Sequence, residues 1–435
     1  MRILHVNKFL YRRGGAEAYM LDMAELQRAA GHEVAIFGME HPENPALPLA
    51  ETFPSYVEFQ PAPATVSGKV KLAARMLHSR ESERGMRDAV RAFQPDVVHM
   101  HNVYHQLSPS VVRAAAAEGV PTVMTLHDYK LACPSYSLLD GSGARCTACV
   151  GGSLGNAVKR RCGGSLAAAV VAAGTTALHR RSGAYDHISR FLCPSEFLAS
   201  VMRTAGVYPD RMHVLPNFVD EQPLQRTAFS RTVVFVGRLS WEKGVDVLLD
   251  AVPLLPQDVV VHIAGTGPEE DDLRRRADRH GNGRVVFHGR LPREGVQQLL
   301  ASAGAAVVPS RWYENQPLSV LEAFAAGVPV VASALGGLTE LVENGVNGEL
   351  VEADDAAGLA AAIERVLLRP DDNLTMGRAA GLKARSGHSA EQHVRALEDH
   401  YRAAQGLERA AAVPSRDAGT VRPQTADYAR PTTRQ

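Results

Sequence analysis

The sequence predicts an α/β protein built from two doubly wound, Rossmann-like domains that face each other across a cleft. Three observations predict it. Short apolar strands alternate with amphipathic helical stretches along nearly the whole chain. The alternation breaks at Val214-Leu215-Pro216-Asn217-Phe218 and restarts at residue 232. The 435 residues, 45% hydrophobic and 22% charged, suffice for two or three domains of about 150 residues each. That composition excludes a disordered chain, a collagen-like fibre and a disulfide scaffold.

In the first half, residues 3–7 read as a strand and 17–30 as an amphipathic helix, and Gly31 leads into a second strand at 33–37. Residues 41–65 hold six prolines and few apolar pairs, which predicts an irregular loop. A helix over 84–93, a strand over 97–101, a helix over 108–118 and a strand over 122–126 continue the βαβα order of a parallel sheet. The second half places strands at 232–236, 259–264, 284–287, 305–309 and 330–332. Between and after them the pattern predicts helices at 244–252, 269–279, 293–302, 319–326 and 356–368. After Arg369-Pro370 the pattern changes, and 389–406 reads as one last helix. Residues 414–435 carry too little apolar surface to offset their ordering entropy. The chain therefore divides into a domain over 1–212 with a cysteine insert at 130–165, a domain over 213–387, a terminal helix over 388–407 and a disordered tail over 408–435.

Lys plus Arg and Asp plus Glu both number 47, so no global charge points to nucleic acid. Residues 1–6 read directly as a strand and not as a secretory leader. The longest apolar run, 166–178, is shorter than the roughly 20 residues of a membrane span. The expectation is a cytoplasmic protein.

Ligands of open α/β sheets sit at the carboxyl ends of strands, and the motifs fall there. Arg13-Gly14-Gly15-Ala16-Glu17 joins the first strand to its helix, where paired glycines admit close backbone approach and helix amides favour an anion. It lacks the G-x-G-x-x-G spacing of a dinucleotide site. Gly237-Arg238-Leu239 and Trp241-Glu242-Lys243-Gly244 follow the first strand of the second half. Arg238 and Lys243 on one loop suit a diphosphate, although solvated loop cations would look the same. In Glu314-Asn315-Gln316-Pro317-Leu318-Ser319-Val320-Leu321-Glu322, Glu314 falls in a loop and Glu322 about one turn into the next helix. Both can face the cleft and accept hydroxyl donors. The alternative roles are a helix cap for Glu314 and a surface position for Glu322.

These residues resemble the retaining GT-B glycosyltransferases of family 4. The Gly-Gly-Ala-Glu loop, the G-R-L…E-K-G loop, Ala264-Gly265-Thr266-Gly267-Pro268, the E-x7-E stretch, Ala326-Gly327-Val328-Pro329-Val330 and Ala334-Leu335-Gly336-Gly337-Leu338-Thr339-Glu340 occur in that family's order over about residues 1–385. The resemblance implies a nucleotide diphosphate sugar held mainly by the second domain, with no cofactor or metal ion required for catalysis. It implies that Arg238 and Lys243 hold the diphosphate, that Glu314 binds donor-sugar hydroxyls, and that amides near Leu318 and Ser319 reach sugar or phosphate. Glu322 would bind the ribose and Gly15 would let the first domain close over the phosphates. Gly237 and Gly265 belong to the donor-side loops, and the strand end at His288 is where the base would be read. His127, at a strand end where the family commonly has a histidine, would meet the transferred sugar, with His99 and His101 on the acceptor side. The implied acceptor is a glycan such as a growing polysaccharide, a lipid-linked glycan or a small metabolite. The competing enzyme of the same fold is a nucleotide-sugar epimerase; the alternative of a different class is a catalytically silent sugar-nucleotide-binding module.

Two features stand outside that pattern. Cys133, Cys146, Cys149 and Cys162 have the spacing C-x12-C-x2-C-x12-C, which suits a tetrahedral structural zinc. Free thiols or disulfides, and an iron–sulfur cluster, fit the same spacing, while Cys193 reads as a packed core thiol. Residues 156–190 carry Lys159, Arg160, Arg161, Arg180, Arg181 and Arg190 against Asp186, around the apolar run 166–178. That arrangement suits peripheral contact with an anionic membrane on its inner face, or else a buried helix with solvated ends.

Overall fold

The computed structural model describes residues 1–58, 65–220, 226, 228–281 and 283–406. The first domain runs β1 (Arg2–Val6), α1 (Gly15–Ala29), β2 (Glu33–Phe37), α2 (Val66–Leu77), α3 (Arg80–Phe93), β3 (Val97–Met100), α4 (Ser110–Ala117) and β4 (Thr122–Thr125). It continues with α5 (Gly155–Lys159), α6 (Leu166–Arg181), β5 (Ile188–Cys193), α7 (Glu196–Thr204) and β6 (Met212–Val214). The second domain runs β7 (Thr232–Val236), α8 (Val245–Ala251), β8 (Val260–Ala264), α9 (Glu270–His280), β9 (Val285–Gly289), α10 (Arg293–Ala301) and β10 (Ala305–Val308). It ends with α11 (Leu318–Ala325), β11 (Val330–Ser333), α12 (Leu338–Leu341), β12 (Gly348–Val351), α13 (Ala356–Leu368) and α14 (Pro370–Gly387), before α15 (Ala390–Ala404).

Each domain has one six-stranded sheet, ordered β2-β1-β3-β4-β5-β6 and β12-β11-β10-β7-β8-β9. Every strand pair is parallel, with in-register ladders such as Leu4↔Ala35 and Val234↔His262. In the second sheet the order reverses between β7 and β10, so the loops leaving those two strands lie side by side at the crevice where such sheets bind ligands. In the first sheet the reversal falls between β1 and β3.

Apolar strands run fully buried through both sheets, as in β3, β4, β10 and β11, because helices cover both faces of a parallel sheet. Helix starts are set by capping side chains: Ser79, Ser165, Ser195, Asp355 and Ser389 each accept a bond from an amide in the first turn. Ser79 explains why α3 begins at Arg80, four residues before the expected start. Pro370, where the pattern broke, occupies the first position of α14, which suits its fixed φ and missing N–H.

Helices α2, α5, α6, α7, α12 and α14 and strands β5, β6 and β12 go beyond the elements read from the sequence. The first sheet closes with β6 and thus extends to Val214, two residues past the expected boundary. The last helix is not a free appendage. Leu397 and Tyr401 of α15 are fully buried with Ile3, Val97, Val123 and Leu192 of the first domain. The tail at 408–435 lies outside the described residues, as do 59–64 of the proline-rich loop.

Candidate active site

On the second domain, three loops pack backbone against backbone. Gly237 N–H donates to the Ala264 carbonyl at 3.0 Å and Leu239 N–H to the Thr266 carbonyl at 3.0 Å. Gly265 has φ +141°, and a Cβ there would stand 1.8 Å from the Gly237 carbonyl oxygen. Gly244, at φ +65°, would put a Cβ 2.0 Å from the Pro309 carbonyl. Only glycine fits either position. This packing brings Lys243 to the loop after β10, where its Nζ donates to Glu314 Oε1 at 2.7 Å. Ser310 Oγ donates to the same oxygen at 2.6 Å, and the Lys243 ammonium lies 5.2 Å from the centre of the Trp312 ring.

Glu314 is buried. Burial alone would raise its carboxyl, but the Lys243 charge and the bonds from Lys243 and Ser310 hold it below the ordinary value. Arg238 is exposed on the same rim, without an ion-pair partner among the described residues. Leu318 and Ser319 open α11 after Pro317, and the first amides of a helix have no acceptor inside it. Cation, carboxylate and helix N-terminus thus share one corner, as expected, except that Lys243 and Glu314 are bonded to each other.

Glu322 lies one turn into α11, and burial pushes its carboxyl up to about 7, opposed by Arg293 and reinforced by Asp22. Arg293 donates to Asp220 at 2.6 Å and lies 3.9 Å from Asp22 of the first domain. His288 at the end of β9 bonds through Nε2 to His262 Nδ1 at 2.8 Å. Gly15 begins α1, and a Cβ on it would meet nothing within 4 Å. Its loop reaches the second domain nonetheless, since Arg290 donates to the Arg12 carbonyl at 2.6 Å.

His127 follows β4, half-buried, with its ring 5.3 Å from Tyr19. Burial and then the Lys8 charge hold it down to about 3, so it is neutral. The acceptor-side placement of His99 and His101 is corrected: both are 0% exposed. They sit behind His127, between the sheet and α15, with every ring nitrogen in a hydrogen bond. A strand-end histidine in a sheet covered on both faces points inward as readily as outward, and sequence alone does not tell which.

Residues that the sequence reading passed over join the domains. The Asn315 amide donates to the Leu126 carbonyl at 3.3 Å, and Ser195 Oγ donates to Asn315 Oδ1 at 3.0 Å. Tyr129 OH donates to the Tyr313 carbonyl at 3.2 Å. The Glu340 carboxylate, in the second domain, accepts from the Glu196 and Phe197 amides at 3.0 and 2.6 Å, so it caps α7 of the first. Of these, Asn315 and Glu340 carried a signal, each lying within a motif of the second half.

All five cysteines are free thiols, with Cys146 half-buried and the other four buried. Cys149 and Cys162 pack against Ala157 and Ala173, and Cys133 Sγ lies 3.3 Å from Ser135 Oγ. Burial, then the three neighbouring thiols, push Cys149 up to about 11. Among the described residues no three of the four sulfurs come within 4.8 Å of one another; the trio that does gather its ligand atoms so closely is His5, His99 and His101. The hairpin inside the insert, bridged at Leu139 and Arg145, rests on the second domain. A Cβ on Gly143 would stand 2.8 Å from the Trp241 ring, and Arg145 donates to the Arg311 carbonyl at 3.1 Å.

Helix α6 exposes Leu166, Val170, Val171 and Leu178 by 38–55%. Arg180 is not part of a basic rim: it donates to the Leu131 and Ala132 carbonyls. Arg160 pairs with Asp140 at 3.4 Å. Lys159, Arg161 and Arg181 are exposed, with no ion-pair partner among the described residues. No described helix is long and apolar enough to cross a membrane.

Comparison with known proteins bears on the fold and the family of the chain. Residues 230–369 match the family model of the glycosyl transferases group 1, and residues 13–222 that of Glycosyltransferase Family 4. The chain is 32% identical over 325 residues to the glycogen synthase of Mycobacterium tuberculosis, covering 73% of this chain and 71% of that protein. It is 29% identical over 371 residues to the phosphatidyl-myo-inositol mannosyltransferase of Mycolicibacterium smegmatis, covering 84% of each. Among solved structures, Anabaena HepE in complex with UDP and glucose superposes with a TM-score of 0.66 at 20% identity, covering 93% of this chain and 100% of that one.

Proposed function

Because this chain belongs to glycosyltransferase family 4 and is a glycosyltransferase, we propose that it moves a sugar from a nucleoside diphosphate donor to an acceptor hydroxyl with retention of anomeric configuration. The observation that carries the reading is the Lys243–Glu314 pair beside the α11 N-terminus, at the strand-order reversal of the second sheet. A bound diphosphate draws Lys243 and Arg238 and lies against the first amides of α11. Glu314, released from Lys243, accepts from hydroxyls of the donor sugar. As the glycosidic bond breaks, negative charge gathers on the departing diphosphate, and fixed cations and helix amides stabilise that charge without reorganising. No metal ion enters this reading. Glu322 accepts from the ribose hydroxyls, and His127 meets the sugar from the first domain. Relatives named as a glycogen synthase and a mannosyltransferase support hexose transfer, and HepE with UDP and glucose supports a uridine donor.

The acceptor is a glycan, a lipid-linked glycan or a small metabolite, and the exposed apolar face of α6 with Lys159, Arg161 and Arg181 favours an enzyme that rests on the inner face of an anionic membrane. The test is a transfer assay with UDP-glucose and GDP-mannose over an acceptor panel, with the product's anomeric configuration read by NMR. Transfer with retention, unaffected by brief chelation, is the expected result. Inversion, or full dependence on added magnesium or manganese, would overturn the reading.

A further inference from the structure

Behind His127 lies a line of buried polar groups that runs through the first domain. Its far end is Thr125, whose Oγ1 lies 2.8 Å from His99 Nε2. His99 Nδ1 lies 2.7 Å from Tyr401 OH, and the Tyr401 oxygen accepts from Gln27 Nε2 at 3.0 Å, which leaves the Tyr401 proton for His99 Nδ1.

Gln27 is the turning point, because its amide nitrogen is committed to Tyr401 and its Oε1 must face His5. That oxygen lies 2.7 Å from His5 Nε2, which carries the proton. His5 Nδ1 then accepts from His101 Nε2 at 3.0 Å, and His101 Nδ1 accepts from His127 Nε2 at 3.0 Å. Each step leaves one choice for the next, so the direction set by the Gln27 amide arrives unchanged at His127.

We propose that this one-way chain holds His127 in the Nε2–H tautomer and presents its bare Nδ1 to the cleft as an acceptor for a hydroxyl of the bound sugar, which makes His101, His5 and Gln27 positioning residues for the transfer. The proposal rests on the glycosyltransferase reading for what meets Nδ1, but not for the tautomer itself. His127 is half-buried, and its Nδ1 has no partner among the described residues. The rings are neutral, which a single direction requires: burial holds His5 at about 4 and His99 and His101 well below the usual value. The close grouping of His5, His99 and His101 is explained by the same chain, which occupies all six of their nitrogens.

The test reads ring-nitrogen chemical shifts in the full chain labelled with ¹⁵N-histidine, the His127 signals being identified by their loss in His127→Asn. A protonated Nε2 and a bare Nδ1 are expected in the unaltered protein. Gln27→Leu removes both the acceptor for His5 and the donor to Tyr401, so His127 should populate both tautomers. Its kcat with UDP-glucose should then fall tenfold or more, with the Kd for UDP changed less than twofold. Gln27→Glu keeps an acceptor for His5 and should keep the His127 tautomer. Should Gln27→Leu fail to fold, Tyr401→Phe releases the Gln27 amide by removing one oxygen and should mix the tautomers likewise. A His127 protonated on Nδ1, a tautomer unmoved in folded Gln27→Leu or Tyr401→Phe, or a metal ion bound at His5, His99 and His101 would overturn the proposal. Absence of sugar transfer beside the expected tautomer would sink the function and leave the chain of bonds standing.

Discussion

Lys243 and Glu314 are bonded at 2.7 Å, so a donor must offer each a better partner: phosphate oxygens to the ammonium, sugar hydroxyls to the carboxylate. Glu314→Gln keeps the shape and removes charge-assisted bonds of roughly 1.5–3 kcal/mol each. Turnover should fall at least tenfold while the thermal midpoint moves little, and Lys243→Ala should lose as much; normal turnover in both would reject the assignment. Glu322 gives a pH dependence. Burial pushes its carboxyl up to about 7, above the value it has in an unfolded chain, so the folded protein holds a proton that the unfolded chain has released. The stability it contributes is present below the ordinary carboxylate range and is lost as pH rises through about 7. Ribose hydroxyls need the ionised carboxylate as acceptor, so nucleotide binding should strengthen as pH rises through the same window. Titration of UDP binding by calorimetry between pH 5.5 and 8.5 (values chosen to bracket about 7) checks this, and Glu322→Gln should flatten the curve.

At the scale of elements, the cysteine insert and α6 are the parts of the first domain with a second task. The insert's hairpin rests on Trp241, two residues before Lys243. If the four thiols close around zinc, as their spacing predicts, the purified protein should contain about one zinc per chain. Cys146→Ser with Cys149→Ser should remove that metal, shift the Trp241 fluorescence and raise the donor KM; full thiol titration in the native protein without metal would decide for free cysteines. Helix α6 sets Leu166, Val170, Val171 and Leu178 on its exposed side, with Lys159 and Arg161 before it and Arg181 at its end. Cations near an anionic surface are worth about 1 kcal/mol each. Sedimentation with vesicles of rising phosphatidylserine content should increase binding, and changing Lys159, Arg161 and Arg181 to Gln should abolish the increase. Binding indifferent to both would leave a soluble acceptor as the better account.

Across the whole molecule, the chain crosses to the second domain at Pro216 and returns with α15 to complete the first domain's core. Leu397, fully buried against both the sheet and α1, should cost about 2–5 kcal/mol when changed to Ala. Thermal unfolding would show the loss in the first domain, and a midpoint shift confined to the second domain would contradict the packing. The two sheets, their parallel order and the donor-side loops were legible in the sequence, because buried parallel strands and glycine turns leave local patterns. Strands β5, β6 and β12 were not read, being short or, as in β5 and β6, interrupted by polar residues. The sequence by itself thus determined the two-domain α/β class and the corner where Lys243, Glu314 and the head of α11 meet, since strand order carries loops to that corner whatever covers them. Tertiary structure alone decided that His99 and His101 face inward, that Arg180 holds backbone carbonyls, and that α15 belongs to the first core. The reason is physical: a histidine, an arginine or an amphipathic helix has the same local pattern whether its partner is water or a group 300 residues away, and only the fold supplies that partner.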